Sequence, residues 1–136
     1  MEQLSILENH ITSGELLPNV LQALKSIRVN VIREEYNLQN EIERILKDHA
    51  IPFNREYKLA PKNRIDFLVE SGIGIEIKKG KPNRDKVIEQ MTRYSAFNQI
   101  RILILVIERS LDIPEELNGK KCISFGLNKL WGVALK

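Results

Sequence analysis

Arg64-Ile65-Asp66-Phe67-Leu68-Val69-Glu70-Ser71-Gly72-Ile73-Gly74-Ile75-Glu76-Ile77-Lys78 reads as two strands joined by a turn. Apolar, β-branched runs flank Glu70-Ser71-Gly72, and Ser-Gly is turn chemistry, so the stretch predicts a β-hairpin. A strand has a side-chain period of two. Ile73, Ile75 and Ile77 therefore share one face, and Gly74, Glu76 and Lys78 share the other. Asp66, on the first strand, reaches that polar face if the register brings it there. Two carboxylates from paired strands, with an ammonium beside them, suit Mg²⁺, which takes oxygen ligands, commonly one or two carboxylates plus waters and substrate phosphate. The same residues also read as a Glu–Lys pair on a solvated face, so the flanking sequence has to decide.

The chain has 136 residues, 43% of them apolar, which is enough for one globular domain with a real core. Its net charge of +3, from 21 basic and 18 acidic residues, is too mild to imply a nucleic-acid partner by itself. The distribution of charge matters more. The longest apolar run, Ile102 to Ile107, is far too short to span a bilayer. Met1-Glu2-Gln3-Leu4-Ser5 has no secretory-signal character, and the single cysteine, Cys122, fits a reducing compartment. The expectation is a cytoplasmic protein with no membrane partner. Cys122 itself reads as a small core residue on a short strand.

Residues 1–33 read as an irregular helical extension. Leu4, Ile6 and Leu7 begin one segment, which Ser13-Gly14 ends, and Pro18 opens a second carrying Val20, Leu21, Leu24 and Ile27. The next helix is clearer: Leu38, Ile42, Ile45 and His49 recur at helical spacing, with Leu46 widening the stripe. Ile51-Pro52 ends it. At 100° per residue Glu35 falls on the inward face, Glu41 on its edge and Glu43 nearly opposite. A carboxylate on an apolar face needs a partner, which singles out Glu35 first and Glu41 second. His49 reads as a core or capping histidine.

Phe53 to Leu59 alternates as a half-buried strand, and Ala60-Pro61-Lys62-Asn63 is a turn into the hairpin. Past the hairpin, Asn83 caps a helix through about Phe97 with Val87, Met91 and Tyr94 on one face. Ile100 to Glu108 suits a strand buried on both faces. Cys122–Phe125 and Leu130–Leu135 read as one or two short edge strands.

Asp66 followed by Glu76-Ile77-Lys78 resembles the PD-(D/E)xK nuclease superfamily, with Ile65 in place of the usual proline. The order helix, strand, strand, strand, helix, strand over residues 34–108 extends the resemblance. So do Glu35 near the start of the first helix and Gln90-x-x-x-Tyr94 on the second. The resemblance implies an α/β, restriction-endonuclease-like αβββαβ core with a mixed central sheet flanked by helices. It implies a single domain over residues 1–136, with residues 109–136 as C-terminal edge elements.

In function it implies a Mg²⁺-dependent DNA endonuclease of repair, recombination or restriction type, with Mn²⁺ able to substitute. Asp66, Glu76 and the backbone carbonyl of Ile77 would hold the metal. Glu35, or alternatively Glu41, would complete the ligand set. Lys78 would hold the attacking water or the phosphate charge, and Gln90 and Tyr94 would position phosphate or water. The alternative is a catalytically silent nucleic-acid-binding or interaction module on the same fold.

Lys79, Lys81, Arg84 and Lys86, with Arg55, Lys58, Lys62 and Arg64, read as a rim for the DNA backbone. A homodimer is expected, since one such site cuts one strand and closed two-fold pairs are common. Leu4, Leu7, Val20, Leu21 and Leu24 would form its interface. The competing expectation is that this segment folds back over the chain's own sheet.

Overall fold

The structure, a computed structural model, describes residues 12–28 and 35–130. They form a mixed α/β arrangement: a six-stranded sheet with helices on both faces. In chain order the elements are α1 (Ser13–Leu24), α2 (Glu35–Asp48), β1 (Phe53–Ala60), β2 (Asn63–Val69), β3 (Ile73–Lys78), α3 (Arg84–Ser95), β4 (Ile102–Ile107), β5 (Glu116–Leu117), β6 (Lys120–Gly126) and the single turn α4 (Leu127–Leu130). The spatial order is β1-β2-β3-β4-β6-β5. β1, β2 and β3 are antiparallel, β3, β4 and β6 run parallel, and β5 returns antiparallel to β6. The order α2-β1-β2-β3-α3-β4 is the one expected from the sequence.

Two cores follow from strand alternation. Ile73, Ile75 and Ile77 of β3 and Ile102, Ile104 and Val106 of β4 pack against α1 and α2. Leu103, Leu105 and Ile107 point the other way, toward Val87, Met91 and Tyr94 of α3. β4 is buried on both faces, as its unbroken apolar run anticipates. Gly74 lets the sheet close up on the α3 side. A Cβ there would stand 2.6 Å from Ile65 Cδ1 and 2.9 Å from Ile100 Cδ1.

The sequence reading of the first segment needs correction. Thr12 caps α1 in a reciprocal box with Glu15, so Ser13-Gly14 starts a helix instead of ending one, and Pro18 lies inside it. Val20 and Leu24 are fully buried within the chain, and Leu21 packs on the same core. The apolar face expected at a dimer interface therefore covers the chain's own sheet and α2. Leu4 and Leu7 lie outside the described residues. β6 also differs from expectation: it pairs along the whole of β4 and sits inside the sheet, with β5 outside it. Residues 131–135 of the last expected strand lie outside the described residues, and 127–130 are a helical turn. Among the described residues no helix is long and apolar enough to cross a membrane.

α2 ends with Ala50 in the left-handed region at φ 56°. Ile51 N–H donates to Leu46 O at 2.9 Å and Ala50 N–H to Lys47 O at 3.0 Å, the two bonds of a Schellman cap. An alanine at that position carries a Cβ penalty that glycine lacks. Ala50→Gly should raise stability by about 1 kcal/mol, read as a higher urea midpoint at unchanged slope. His49 is exposed, with Nδ1 2.8 Å from Ile45 O, so it belongs to this cap and not to the core.

Candidate active site

β2 and β3 pair through Val69↔Ile73, Leu68↔Gly74 and Phe67↔Ile75. One step further on, the carboxylates of Asp66 and Glu76 replace backbone bonding. Glu76 Oε1 accepts from Asp66 N–H at 3.2 Å, and Asp66 Oδ2 accepts from Ile77 N–H at 2.7 Å. The two strands fork here, and both acids stand in the fork. Lys78 Nζ lies 3.5 Å from Glu76 Oε2. The polar face read from the alternation of β3 is real but not solvated, since the Glu76 side chain is only 6% exposed.

A backbone reversal aims Asp66 into the fork. Arg55 reaches toward α2, whereas Tyr57 packs with the α3-side core. Their partners behave alike, Phe67 lying in the α2-side core and Ile65 in the other. Between them Glu56 adopts φ 52°, and both strands change face together at Glu56 and Asp66. Asp66 is thereby free to point along the sheet toward β3.

A further residue, outside the candidate site set read from the sequence, sits on α2. Gln39 Nε2 donates to Asp66 Oδ1 at 3.1 Å, while Gln39 Oε1 accepts from Arg55 Nη2 at 3.0 Å. Arg55 also donates to Asn40 at 2.7 Å and Glu43 at 2.8 Å, and stands 6.0 Å over the Phe67 ring. Arg55, expected in the DNA rim, is thus turned toward α2 and linked to Asp66 through Gln39.

On the opposite face, Tyr94 donates its hydroxyl to Arg64 O at 2.8 Å and accepts from Gln90 Nε2 at 3.0 Å. Tyr94 is buried and both roles of its hydroxyl are used, so it ties α3 to β2 two residues before Asp66. Its hydroxyl is thus engaged within the chain, where a role in positioning phosphate or water is expected from the sequence. Glu35 begins α2, but its side chain lies outside the described residues. Glu41, its alternative, is turned elsewhere: it is buried and clasped by Arg28, at 2.9 Å, and Arg44, at 2.9 Å. A carboxylate so fully hydrogen-bonded is a structural anchor.

Electrostatics set Glu76 apart. Burial first, then the charge of Asp66, push its carboxyl well above the ordinary range, to about 8, with Lys78 only partly offsetting them. The same surroundings raise the Tyr94 hydroxyl to about 12, burial leading and the charge of Glu76 second. The fork thus brings together two hard oxygen donors, the donor type that Mg²⁺ takes. Among the described residues no group of three or more His, Cys, Asp or Glu converges on a common point. Cys122 is buried on β6, and its thiol is raised to about 11, chiefly by burial, which disfavours the thiolate.

Of the expected rim, Lys58, Lys62 and Arg64 line a groove beside Gln90 and Tyr94. Lys81 and Lys86 are exposed near the start of α3, and Arg84 donates to Asp112 O at 2.6 Å. Lys79 follows Lys78 at the end of β3. Comparison with family models, curated proteins and solved structures returns no match.

Proposed function

We propose that the chain is a Mg²⁺-dependent DNA nuclease with a restriction-endonuclease-like core of the PD-(D/E)xK kind. One observation carries this reading: half-buried Asp66 and buried Glu76 meet in the fork between β2 and β3, with Lys78 beside them. The order α2-β1-β2-β3-α3-β4 supports it.

Asp66, Glu76 and the Ile77 carbonyl would hold the ion, with Glu35 as the further candidate ligand. When bound, Mg²⁺ polarises the phosphate and lowers the pKa of water at the site. The protein's own residues do the rest. Lys78 places a positive charge where negative charge builds on the phosphate oxygens. Gln39 and Arg55 keep the Asp66 carboxylate from rotating out of the fork. Tyr94 fixes the strand that carries it. Water adds to phosphorus and gives up a proton to solvent, the P–O ester bond breaks, and the departing oxygen takes a proton back from solvent.

The test is a panel of labelled single-stranded, duplex and branched DNA with Mg²⁺, Mn²⁺ or EDTA. Cleavage with either ion and none in EDTA is expected; no cleavage of any substrate overturns the reading. A second reading, a DNA-binding relative that does not cut, is favoured by one observation. Asp66 and Glu76 are already engaged by the backbone amides of the facing strands. Salt-dependent DNA binding without cleavage would select it.

A further inference from the structure

We infer that the groove between the tip of the β1–β2 hairpin and α3 seats a lone DNA strand, with Arg93 as one of its phosphate contacts. The inference deepens the proposed nuclease and rests on it for the chemistry, though not for the binding. Lys58, Lys62 and Arg64 come from the hairpin and Arg93 from α3, with Gln90 and buried Tyr94 beneath them. The groove encloses about 370 Å³, and among the described residues no Asp or Glu lines it. Carboxylates reach only its rim: Glu56 lies 3.3 Å from Arg64, and Glu89 lies 3.7 Å from Arg93. Both are exposed pairs of the kind worth little, which a phosphate can displace. Lys58 and Lys62 make no ion pair among the described residues. A concave site lined by one sign of charge focuses its field and concentrates counter-ions, here phosphates.

Shape selects the strand. The walls are a hairpin tip and a helix resting on the same face of the sheet, and the volume is that of one small ligand. A duplex lying across such walls offers the cations only the outside of one backbone. A single strand can turn successive phosphates down into the groove. The floor is tied by Tyr94 to the Arg64 carbonyl, two residues from Asp66, so a strand seated here passes beside the carboxylate fork.

The test measures fluorescence anisotropy of a short fluorescein-labelled oligothymidylate in EDTA, over a salt series. The proteins are the full chain, Lys58→Gln, Arg93→Gln, and Lys25→Gln as a control on α1's exposed end. Each groove variant should bind several-fold more weakly and flatten the slope of log affinity against log salt by about 0.7, the value for one phosphate contact to a single strand. Lys25→Gln should leave the slope unchanged. An unchanged slope in both groove variants, or tighter binding of a hairpin duplex than of the single strand, overturns the inference. Cleavage with Mg²⁺ is scored separately. A chain that cuts while the groove variants keep the full slope retains the nuclease and loses the groove. A chain that never cuts while they flatten the slope does the reverse.

Discussion

Glu76→Gln should abolish metal-dependent cleavage, by at least ~100-fold, and yet make the metal-free protein more stable at neutral and alkaline pH. The loss follows because several kcal/mol of charge stabilisation come from the ion that Glu76 helps to hold, and each 1.36 kcal/mol is about tenfold in rate. The gain follows from the sign of the Glu76 shift. Its carboxyl is raised from 4.5 to about 8, by burial first and Asp66 second, so the folded protein holds a proton that the unfolded chain has released. Wild-type stability therefore falls as pH rises from about 4.5 and levels off near 8. Glutamine keeps the shape without the charge and escapes that decline. The check is thermal unfolding in EDTA across this range, alongside the cleavage assay. Added Mg²⁺ should raise the wild-type midpoint and leave that of the variant in place. A variant that cuts normally would remove Glu76 from the site. A variant less stable than wild type at pH 8 would make it a structural partner of Lys78.

Glu41→Gln should do the opposite on both counts, keeping cleavage and losing stability at neutral pH. Burial by itself would raise this carboxyl, but hydrogen bonds from Arg44 and Arg28 outweigh it and bring it from 4.5 to about 2. A depressed carboxyl contributes above its unfolded pKa and stops contributing as pH falls through its folded one. The contribution is therefore full above about 4.5 and gone below about 2. The arginines are 57% and 40% exposed, so solvent screens the pair, and about 2 kcal/mol at pH 7 is the expected loss. Urea unfolding of wild type and variant at pH 7 and pH 3 decides it: the gap should narrow on acidification. An equal gap at both would mean that packing, not charge, is what Glu41 supplies. A loss of cleavage at matched folding would return Glu41 to the candidate ligands.

The residues that sequence periodicity placed well are those whose environment is local. Ile73, Ile75 and Ile77 against Glu76 and Lys78 need only the pleat of one strand. Asn83 needs only the helix that follows it, whose Lys86 N–H it accepts at 3.0 Å. The surroundings of Glu41 are not legible from its helix alone, because its partner Arg28 comes from a different segment and no helical wheel contains it. Arg55 looked like a surface cation because alternation in β1 was assumed to run unbroken. The left-handed Glu56, which a β-forming sequence does not advertise, breaks it. The role of Gln39 is hidden for a simpler reason. A neutral amide on a charged helix has no spacing that distinguishes it until Asp66 and Arg55 are seen on either side. Thr12-x-x-Glu15 was legible as a capping box, but Gly14 and Pro18 spoke louder for a break.

The fork between β2 and β3 divides the two acids between regions that should open on different timescales. Glu76 belongs to β3, held on one side by a parallel partner buried on both faces. Asp66 belongs to the hairpin that forms one margin of the sheet, with nothing beyond β1 among the described residues. In native-state hydrogen exchange the amides of β4 should be last to exchange and those of β1 among the first. The Ile77 amide is the exception worth following. It lies on the slow strand, but its acceptor is the Asp66 carboxylate on the fast one. Its protection should follow the hairpin, so one backbone proton reports how often the site comes apart while the rest of the sheet stays closed.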